Sequence, residues 1–301
     1  MSTRVPLSAS LMAVGAGMIW SFGALTARLA KHSDAWQYLL WRSVGIIVVM
    51  ECVAWRRGQK LLVRRAFVSG WLMIAATISL LVASLAYVYA VKSTTAANAA
   101  FLSSITPLVA VILARLTLRE RLTPVTVAAI GLALVGLVVM VSAAGGPNGT
   151  GASAIGNASA LMSSVGFASY TVCVRADSSR DWSPVLSGYA TLMILLCGAV
   201  SLAHRRTLQP PAHDVALALL HGGVLIVVGT LLFNAASRVV PAVAMTVFAQ
   251  SETVFAPFWV FLVLAERPTS TTLGGASLIL VAVVGKAVLD SRPVASVGIP
   301  I

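Results

Sequence analysis

Long apolar runs joined by short connections are the feature that most limits how this chain can fold. Of its 301 residues, 58% are hydrophobic and only 10% are charged, and the mean hydropathy is +0.93. A soluble protein carries about 25% charged residues, and about 20 consecutive apolar residues are enough for a helix to cross a bilayer. The sequence therefore predicts an integral membrane protein whose spanning segments are α-helices.

The apolar runs and the basic connections between them predict a topology. Ten spans are expected at residues 7–30, 36–55, 66–91, 94–116, 123–142, 153–175, 183–203, 214–236, 241–264 and 269–289. Fourteen Lys and Arg residues then lie on the side of the N-terminus and six on the opposite side, with Arg42 inside a span. Because basic residues collect in cytoplasmic connections, both termini are expected in the cytoplasm, and the chain is expected to be a multi-pass protein of a bacterial-type plasma (inner) membrane.

The second half of the chain repeats the first. At a shift of 146 residues the pattern L-x-E-R-x-T at 118–123 coincides with the same pattern at 264–269, and a weaker alignment at a shift of 147 pairs Trp20 with Phe167. Each copy contains five spans, so the two copies have opposite orientations, which is typical of secondary transporters with a substrate site near the midplane.

The predicted fold class is therefore an all-α polytopic membrane protein with ten transmembrane helices arranged as two inverted five-helix repeats. The first repeat is expected at residues 1–142, a glycine-rich external connector at 143–152, the second repeat at 153–290 and a cytoplasmic tail at 291–301.

Several short motifs carry a resemblance to a known family. They are T-T-A-A-N-A-A at 94–100, S-I-T-P-L at 104–108, L-R-E-R-L at 118–122, N-A-A-S-R-V-V-P-A at 234–242, S-E-T-V-F-A at 251–256 and A-E-R at 265–267. With them the chain resembles the ten-helix EamA-type exporters of the drug/metabolite transporter superfamily, and within these the YddG-type exporters of aromatic and other neutral amino acids. The resemblance implies outward transport by alternating access. Thr253 departs from the family, which has proline after the glutamate, so the kink expected there would be absent or moved to Pro257.

Glu252 is the first candidate for a functional residue because it lies in the middle of a span. At 1.5 Å per residue it lies roughly 16 Å in from Pro241, about half of a hydrocarbon core of roughly 30 Å. A carboxylate at that depth is costly unless it faces a cavity or a partner. It could bind a proton, bind a substrate ammonium or order the cavity by hydrogen bonds. The alternative is a protonated glutamic acid bonded to Gln250 or to a backbone carbonyl.

Seven further residues complete the predicted substrate site: Trp20, Arg42, Tyr87, Asn98, Met245, Phe248 and Trp259. Met245, Phe248 and Trp259 share a helical face with Glu252, which suits a neutral amphipathic ligand, although ordinary helix packing explains such a face as well. Trp20 is too deep for an interfacial aromatic belt, whereas Tyr87 lies towards the outer end of its span.

The remaining two candidates are polar. Arg42 could receive a substrate carboxylate or extend its side chain to the outer surface. Asn98 begins the repeated stretch that corresponds to the Glu252 helix, and it could hydrogen-bond the substrate.

These features favour a secondary transporter that exports small organic metabolites, above all aromatic and other neutral amino acids, through a midplane cavity between the repeats. A lipid or nucleotide-sugar translocator on the same fold is the alternative. A membrane-embedded enzyme is disfavoured, because no H-E-x-x-H motif occurs and the four histidines are expected in connections or at outer ends of spans.

The expected partners are a small-molecule substrate and the lipid bilayer. The net charge of +12 is explained by the asymmetry of the basic residues, so nucleic acid is not expected. No cofactor, metal or catalytic residue is predicted. The sequence leaves the oligomeric state open and is compatible with a monomer.

Overall fold

The structure is a computed structural model of the chain, and it describes residues 5–93, 102–103, 105–119, 122–142, 154–205, 207–264 and 270–291. All regular secondary structure in these ranges is helical. The helices are α1 (Leu7–Leu29), α2 (Ala35–Arg56), α3 (Leu62–Val68), α4 (Trp71–Ser93), α5 (Thr106–Thr117), α6 (Pro124–Ser142), α7 (Ala154–Ala176), α8 (Pro184–Ala203), α9 (Ala212–Leu220), a π-helical segment (His221–Ile226), α10 (Val227–Ala236), α11 (Ala242–Ala249), α12 (Ser251–Leu264) and α13 (Ser270–Ser291).

Five helical segments are long and apolar enough to cross a membrane by length and composition. They are residues 7–27, 35–56, 71–90, 184–203 and 212–236. Shorter apolar helices cover residues 106–117, 124–139, 242–256 and 273–289. These segments extend at most two residues beyond the stretches that the hydropathy of the sequence assigns to spans, because the same apolar runs that favour a membrane also favour helix there.

The structure differs from the predicted spans at three places. The span predicted from residue 66 begins at Trp71, because Gly70, whose φ is +98°, separates it from the short helix α3. The span predicted at 214–236 contains the π segment, and the span predicted at 241–264 is interrupted. Of the span predicted at 94–116, residues 94–101 lie outside the described residues.

The most extensive helix packing joins the two halves of the chain. The closest pairs are α4 with α7, α6 with α13, α2 with α8 and α1 with α12. In the repeat, α1 corresponds to α7, α2 to α8, α5 to the interrupted helix α11–α12, and α6 to α13. Exchanging each helix for its counterpart therefore leaves the α2–α8 and α6–α13 pairs unchanged. The same exchange maps α1–α12 onto α7–α5, which are also packed together. The described packing thus has the pattern that a two-fold relation between the halves requires.

The largest buried cluster lies between α1, α7, α10 and α11. Its bulky members are Trp20, Tyr170, Phe233, Met245 and Phe248, each no more than 9% exposed. This core is continuous with the interrupted helix that carries Glu252, so the packing of the bundle centre also fixes the candidate site.

Candidate functional site

The helix that carries Glu252 is interrupted just before it. α11 ends at Ala249 and α12 begins at Ser251, with Gln250 between them. The Thr253 amide donates to the Gln250 carbonyl at 3.0 Å, and the Thr253 hydroxyl donates to Gln250 Oε1 at 3.3 Å. The prediction of a kink that is absent or moved to Pro257 is therefore wrong. The break is at Gln250 without any proline, because Thr253 binds both the backbone and the side chain of that residue.

The backbone of α1 packs directly against this interruption. The Ser251 hydroxyl donates to the Val14 carbonyl at 3.0 Å. A Cβ atom on Gly17 would lie 2.2 Å from Ser251 Oγ and 3.1 Å from the Glu252 nitrogen, so a larger residue would displace the Ser251 hydroxyl from this contact. Glu252 is consequently held in the first turn of α12, where the positive end of the helix dipole favours a carboxylate.

The Glu252 carboxylate itself is available to a ligand. Its side chain is half-buried, and it makes no hydrogen bond or ion pair with any residue that the structure describes. Tyr87 of α4, another residue of the predicted substrate site, is 37% exposed. A bond from Glu252 to Gln250, the structural alternative considered above, is not formed.

Trp259 forms an aromatic wall two turns beyond Glu252. Its ring stacks on Phe22 of α1 with centroids 4.2 Å apart, and Phe255 lies 6.3 Å away. Its indole nitrogen donates to the Ser21 hydroxyl at 2.7 Å. Because these contacts fix the half-buried ring on α1, the indole is held rigidly on the same helix as the carboxylate.

Trp20 lies instead in a packed aromatic cluster. Its ring is 5.7 Å from Phe167 in an edge-to-face contact and 5.3 Å from Phe233. Tyr170 extends the cluster and donates its hydroxyl proton to Asn234 Oδ1. The indole nitrogen of Trp20 is buried without an acceptor among the described residues, which leaves a donor directed into the protein core.

Met245 and Phe248 are fully buried in this same core. The predicted single face of Met245, Phe248, Glu252 and Trp259 is therefore divided. The interruption at Gln250 separates them, and the first two side chains are buried on α11 while Glu252 and Trp259 are half-exposed on α12. A continuous helix was the premise of that prediction, and the structure corrects it.

Arg42 is buried, and only 4% of it is exposed. One guanidinium nitrogen donates to the Ser84 hydroxyl of α4, and its Nε has no acceptor. No carboxylate within the described ranges pairs with it. The alternative in which Arg42 extends to the outer surface is therefore wrong, because the side chain turns inwards between α2 and α4.

A second buried polar group lies near Arg42. Nδ1 of His221 is 2.8 Å from the Tyr38 hydroxyl, which in turn bonds the Thr26 hydroxyl at 3.1 Å. The sequence suggested that His221 lies near the outer end of its span, but the side chain is buried in the π segment. Only the tertiary packing of α1, α2 and that segment brings these three groups together.

Asn98 lies outside the described residues. Conversely, the sequence did not single out Phe167, Tyr170 or Phe233, because isolated aromatic residues in apolar spans carry no signal of their own. The alignment that pairs Trp20 with Phe167 was the available clue, since these two rings are in contact at the bundle centre.

Comparisons with known proteins agree with this fold. The model of the EamA-like transporter family matches residues 7–142 and 154–286. A solved crystal structure, described only as that of a protein, superposes with a TM-score of 0.78 and 18% sequence identity over 96% of this chain and 99% of the other. This likeness extends to the fold alone. No curated protein matches the sequence.

Proposed function

The chain belongs to the EamA-like transporter family, a family of the drug/metabolite transporter type, and from that premise we propose that it exports aromatic and other neutral amino acids. It is a multi-pass membrane protein, and its transport substrate is a small molecule. The environment of Glu252 is the observation that supports this choice of substrate. An unpaired carboxylate at a helix interruption, with the Trp259 ring two turns further along the same helix, is the chemistry that an ammonium group with an attached aromatic or aliphatic side chain requires.

Glu252 binds the substrate ammonium in this proposal. Tyr87 and Trp259 contact the substrate side chain, and Phe22 supports the Trp259 ring. Aromatic faces attract cations and apolar side chains alike, so the same walls serve large and small neutral amino acids. Trp20, Met245 and Phe248 form the closed inner wall, which alternating access would expose on the other side.

Arg42 binds the substrate carboxylate. Ser84 of α4 contacts Arg42, and Tyr87 lies on the same helix. Ser84 and Tyr87 are three residues apart, or about 4.5 Å along the helix axis. A buried guanidinium with free donors is costly unless an anion pairs with it. An amino acid carries both charges, so its carboxylate can pair with Arg42 and its ammonium group with Glu252. Asn98 is proposed as a further hydrogen-bonding group from the first repeat.

We further propose ten transmembrane helices in two inverted repeats, 1–142 and 153–290, with the connector 143–152 outside and the tail 291–301 in the cytoplasm of a bacterial-type cell. The two segments that match the family, 7–142 and 154–286, support this division. Cysteines introduced at Gln59 and Ser178 should be protected from an impermeant thiol reagent added to whole cells, whereas one at Gly149 should react. Reaction at position 59 from outside would reverse the orientation and the direction of transport.

Flux measurements test the proposed substrate. Protein reconstituted in vesicles should transport phenylalanine and alanine, and Trp259→Ala should lower phenylalanine flux about 2- to 10-fold while changing alanine flux less, since an aromatic contact contributes about 0.5–1.5 kcal/mol. Trp71→Ala is the matched control, because Trp71 is 78% exposed and its loss should not alter either flux.

In the same assay Arg42→Gln should lower the flux of both amino acids. Absence of amino-acid flux in the unmodified protein would overturn the choice of substrate and leave a lipid or nucleotide-sugar translocator as the alternative. Equal loss of both fluxes in Trp259→Ala, with a poor yield of folded protein, would assign Trp259 to packing.

A further inference from the structure

A small cavity opens at the end of the bundle where the connection between α7 and α8 meets the end of α10. The volume that the centres of water molecules can occupy is about 90 Å³. One water molecule needs roughly 10–15 Å³ of this volume. The cavity therefore has room for several waters or for the polar end of a small organic molecule. It is separate from Glu252 and Trp259, neither of which lines it.

The mouth of the cavity carries one positive charge that nearby carboxylates do not balance. Arg180 is held by Asp177 at 2.9 Å and by the Ser69 carbonyl at 2.8 Å. Asp181 is paired with Arg65 at 3.0 Å. Arg238 is exposed and forms no ion pair with the described residues. An anion at the mouth would therefore be attracted rather than repelled.

The two carboxylates near the mouth, those of Asp177 and Asp181, are ionised and paired with arginines. Hydrogen bonds from Ser179 and Arg180 hold the pKa of Asp177 below its usual value. Burial alone would raise the pKa of Asp181, but the hydrogen bonds from Ser183 and Arg65 and the charge of Arg65 outweigh it, so this pKa is lowered as well. Both side chains thus neutralise arginines other than Arg238.

Asn234, which lines the cavity, carries an unpaired hydrogen-bond donor. Asn234 is 8% exposed, and its Oδ1 accepts the hydroxyl proton of Tyr170. Its Nδ2 is buried with no acceptor among the described residues. Buried amide donors are almost always paired, so this group indicates an acceptor that the described residues do not supply.

We propose that this cavity is a binding site for the carboxylate group of a small organic acid, with Asn234 Nδ2 as the inner donor and Arg238 as the charge at the mouth. Arg180, fixed over the ring of Trp182 at 5.7 Å, forms the rim. The ligand would accept from Nδ2 without breaking the bond between Tyr170 and Asn234. If the exported substrate is an amino acid, this is where its carboxylate first binds, and only that role rests on the proposed function.

Protection from thiol modification tests the site on purified protein in detergent. Ala235 lines the cavity and is exposed, so Ala235→Cys should react with a neutral maleimide. The exposed Cys52 is replaced by serine in every variant. At constant ionic strength, saturating benzoate should slow the reaction at least threefold, whereas benzamide, which has the same shape and no charge, should not. Inorganic phosphate should protect less than benzoate.

Two variants assign the protection to the named residues. Arg238→Gln should raise the benzoate concentration needed for half-protection about tenfold, whereas Arg57→Gln, which removes another exposed arginine, should not change it. Asn234→Asp keeps the acceptor for Tyr170 and should abolish protection, because its carboxylate repels benzoate. Since Arg238 is exposed, its replacement should leave the protein folded even if Asn234→Asp does not fold.

The proposal is overturned if benzoate gives no protection, if benzamide protects equally, or if the two arginine variants behave alike. Stronger protection by phosphate would overturn the carboxylate assignment in favour of a phosphate site. The assay needs no transport, so intact benzoate protection together with absent amino-acid flux would refute the proposed function and leave this site standing.

Discussion

Glu252→Gln should lower phenylalanine flux in reconstituted vesicles by at least tenfold and leave the stability of the folded protein unchanged. The Glu252 carboxylate makes no hydrogen bond or ion pair with the described residues, so the amide removes no contact within the protein. It does remove the charge that binds the substrate ammonium, and a hydrogen bond to a charged group contributes about 1.5–3 kcal/mol. The measurement is flux of phenylalanine into vesicles alongside thermal unfolding of the same preparation.

Glu51→Gln is the matched control. Both carboxylate oxygens of Glu51 accept backbone amides at the start of α3, from Leu62 and Val63 at 2.9 Å each. An amide side chain can accept only one of these bonds in that geometry. Glu51→Gln should therefore lower the unfolding temperature without changing phenylalanine flux per folded molecule, the opposite of the result for Glu252→Gln.

An imposed pH gradient separates the possible roles of Glu252. If its charge couples transport to protons, Glu252→Gln should retain downhill flux and lose the dependence on the gradient. If it only orders the site, Glu252→Gln should be nearly silent while Glu252→Ala impairs flux. Unchanged flux in both variants, with and without the gradient, would end any functional role for this residue.

The sequence predicted the helices well because hydropathy alone determines which segments are apolar enough to span a membrane. It also singled out Glu252 as a candidate, since a single acidic residue in the middle of a span stands out against the cost of burying charge. Both the spans and this candidate follow from the composition of a single segment, and neither requires knowing which helices pack against it.

Features that depend on contacts between segments were not predictable in this way. The interruption at Gln250 has no proline to mark it and depends on bonds from Thr253 and on the approach of Gly17. The inward orientation of Arg42 depends on Ser84, a residue of another helix. The unpaired amide of Asn234 is evident only when Tyr170 is placed beside it.

Gly222→Ala should destabilise the protein by about 3 kcal/mol, near the upper end of the usual cost of overpacking. A Cβ atom on Gly222 would lie 1.8 Å from the carbonyl oxygen of Arg42 and 2.7 Å from its carbonyl carbon. Because both atoms belong to the backbone of α2, no side chain can rotate away, and α2 must separate from the π segment. Gly198→Ala is the control, since a Cβ atom there has no neighbour within 4 Å; it should be neutral or slightly stabilising because alanine favours helix.

The same variant connects stability with function. Moving the backbone of Arg42 away from the π segment displaces the guanidinium from Ser84, so Gly222→Ala should also lower amino-acid flux per folded molecule. Thermal unfolding in detergent and vesicle flux, both normalised to monodisperse protein, measure the two effects. If Gly222→Ala unfolds at the temperature of the unmodified protein, then α2 and the π segment are not packed at this point. If it unfolds early but retains full flux per folded molecule, the position of Arg42 does not matter for transport, and its proposed role as the carboxylate-binding group is wrong.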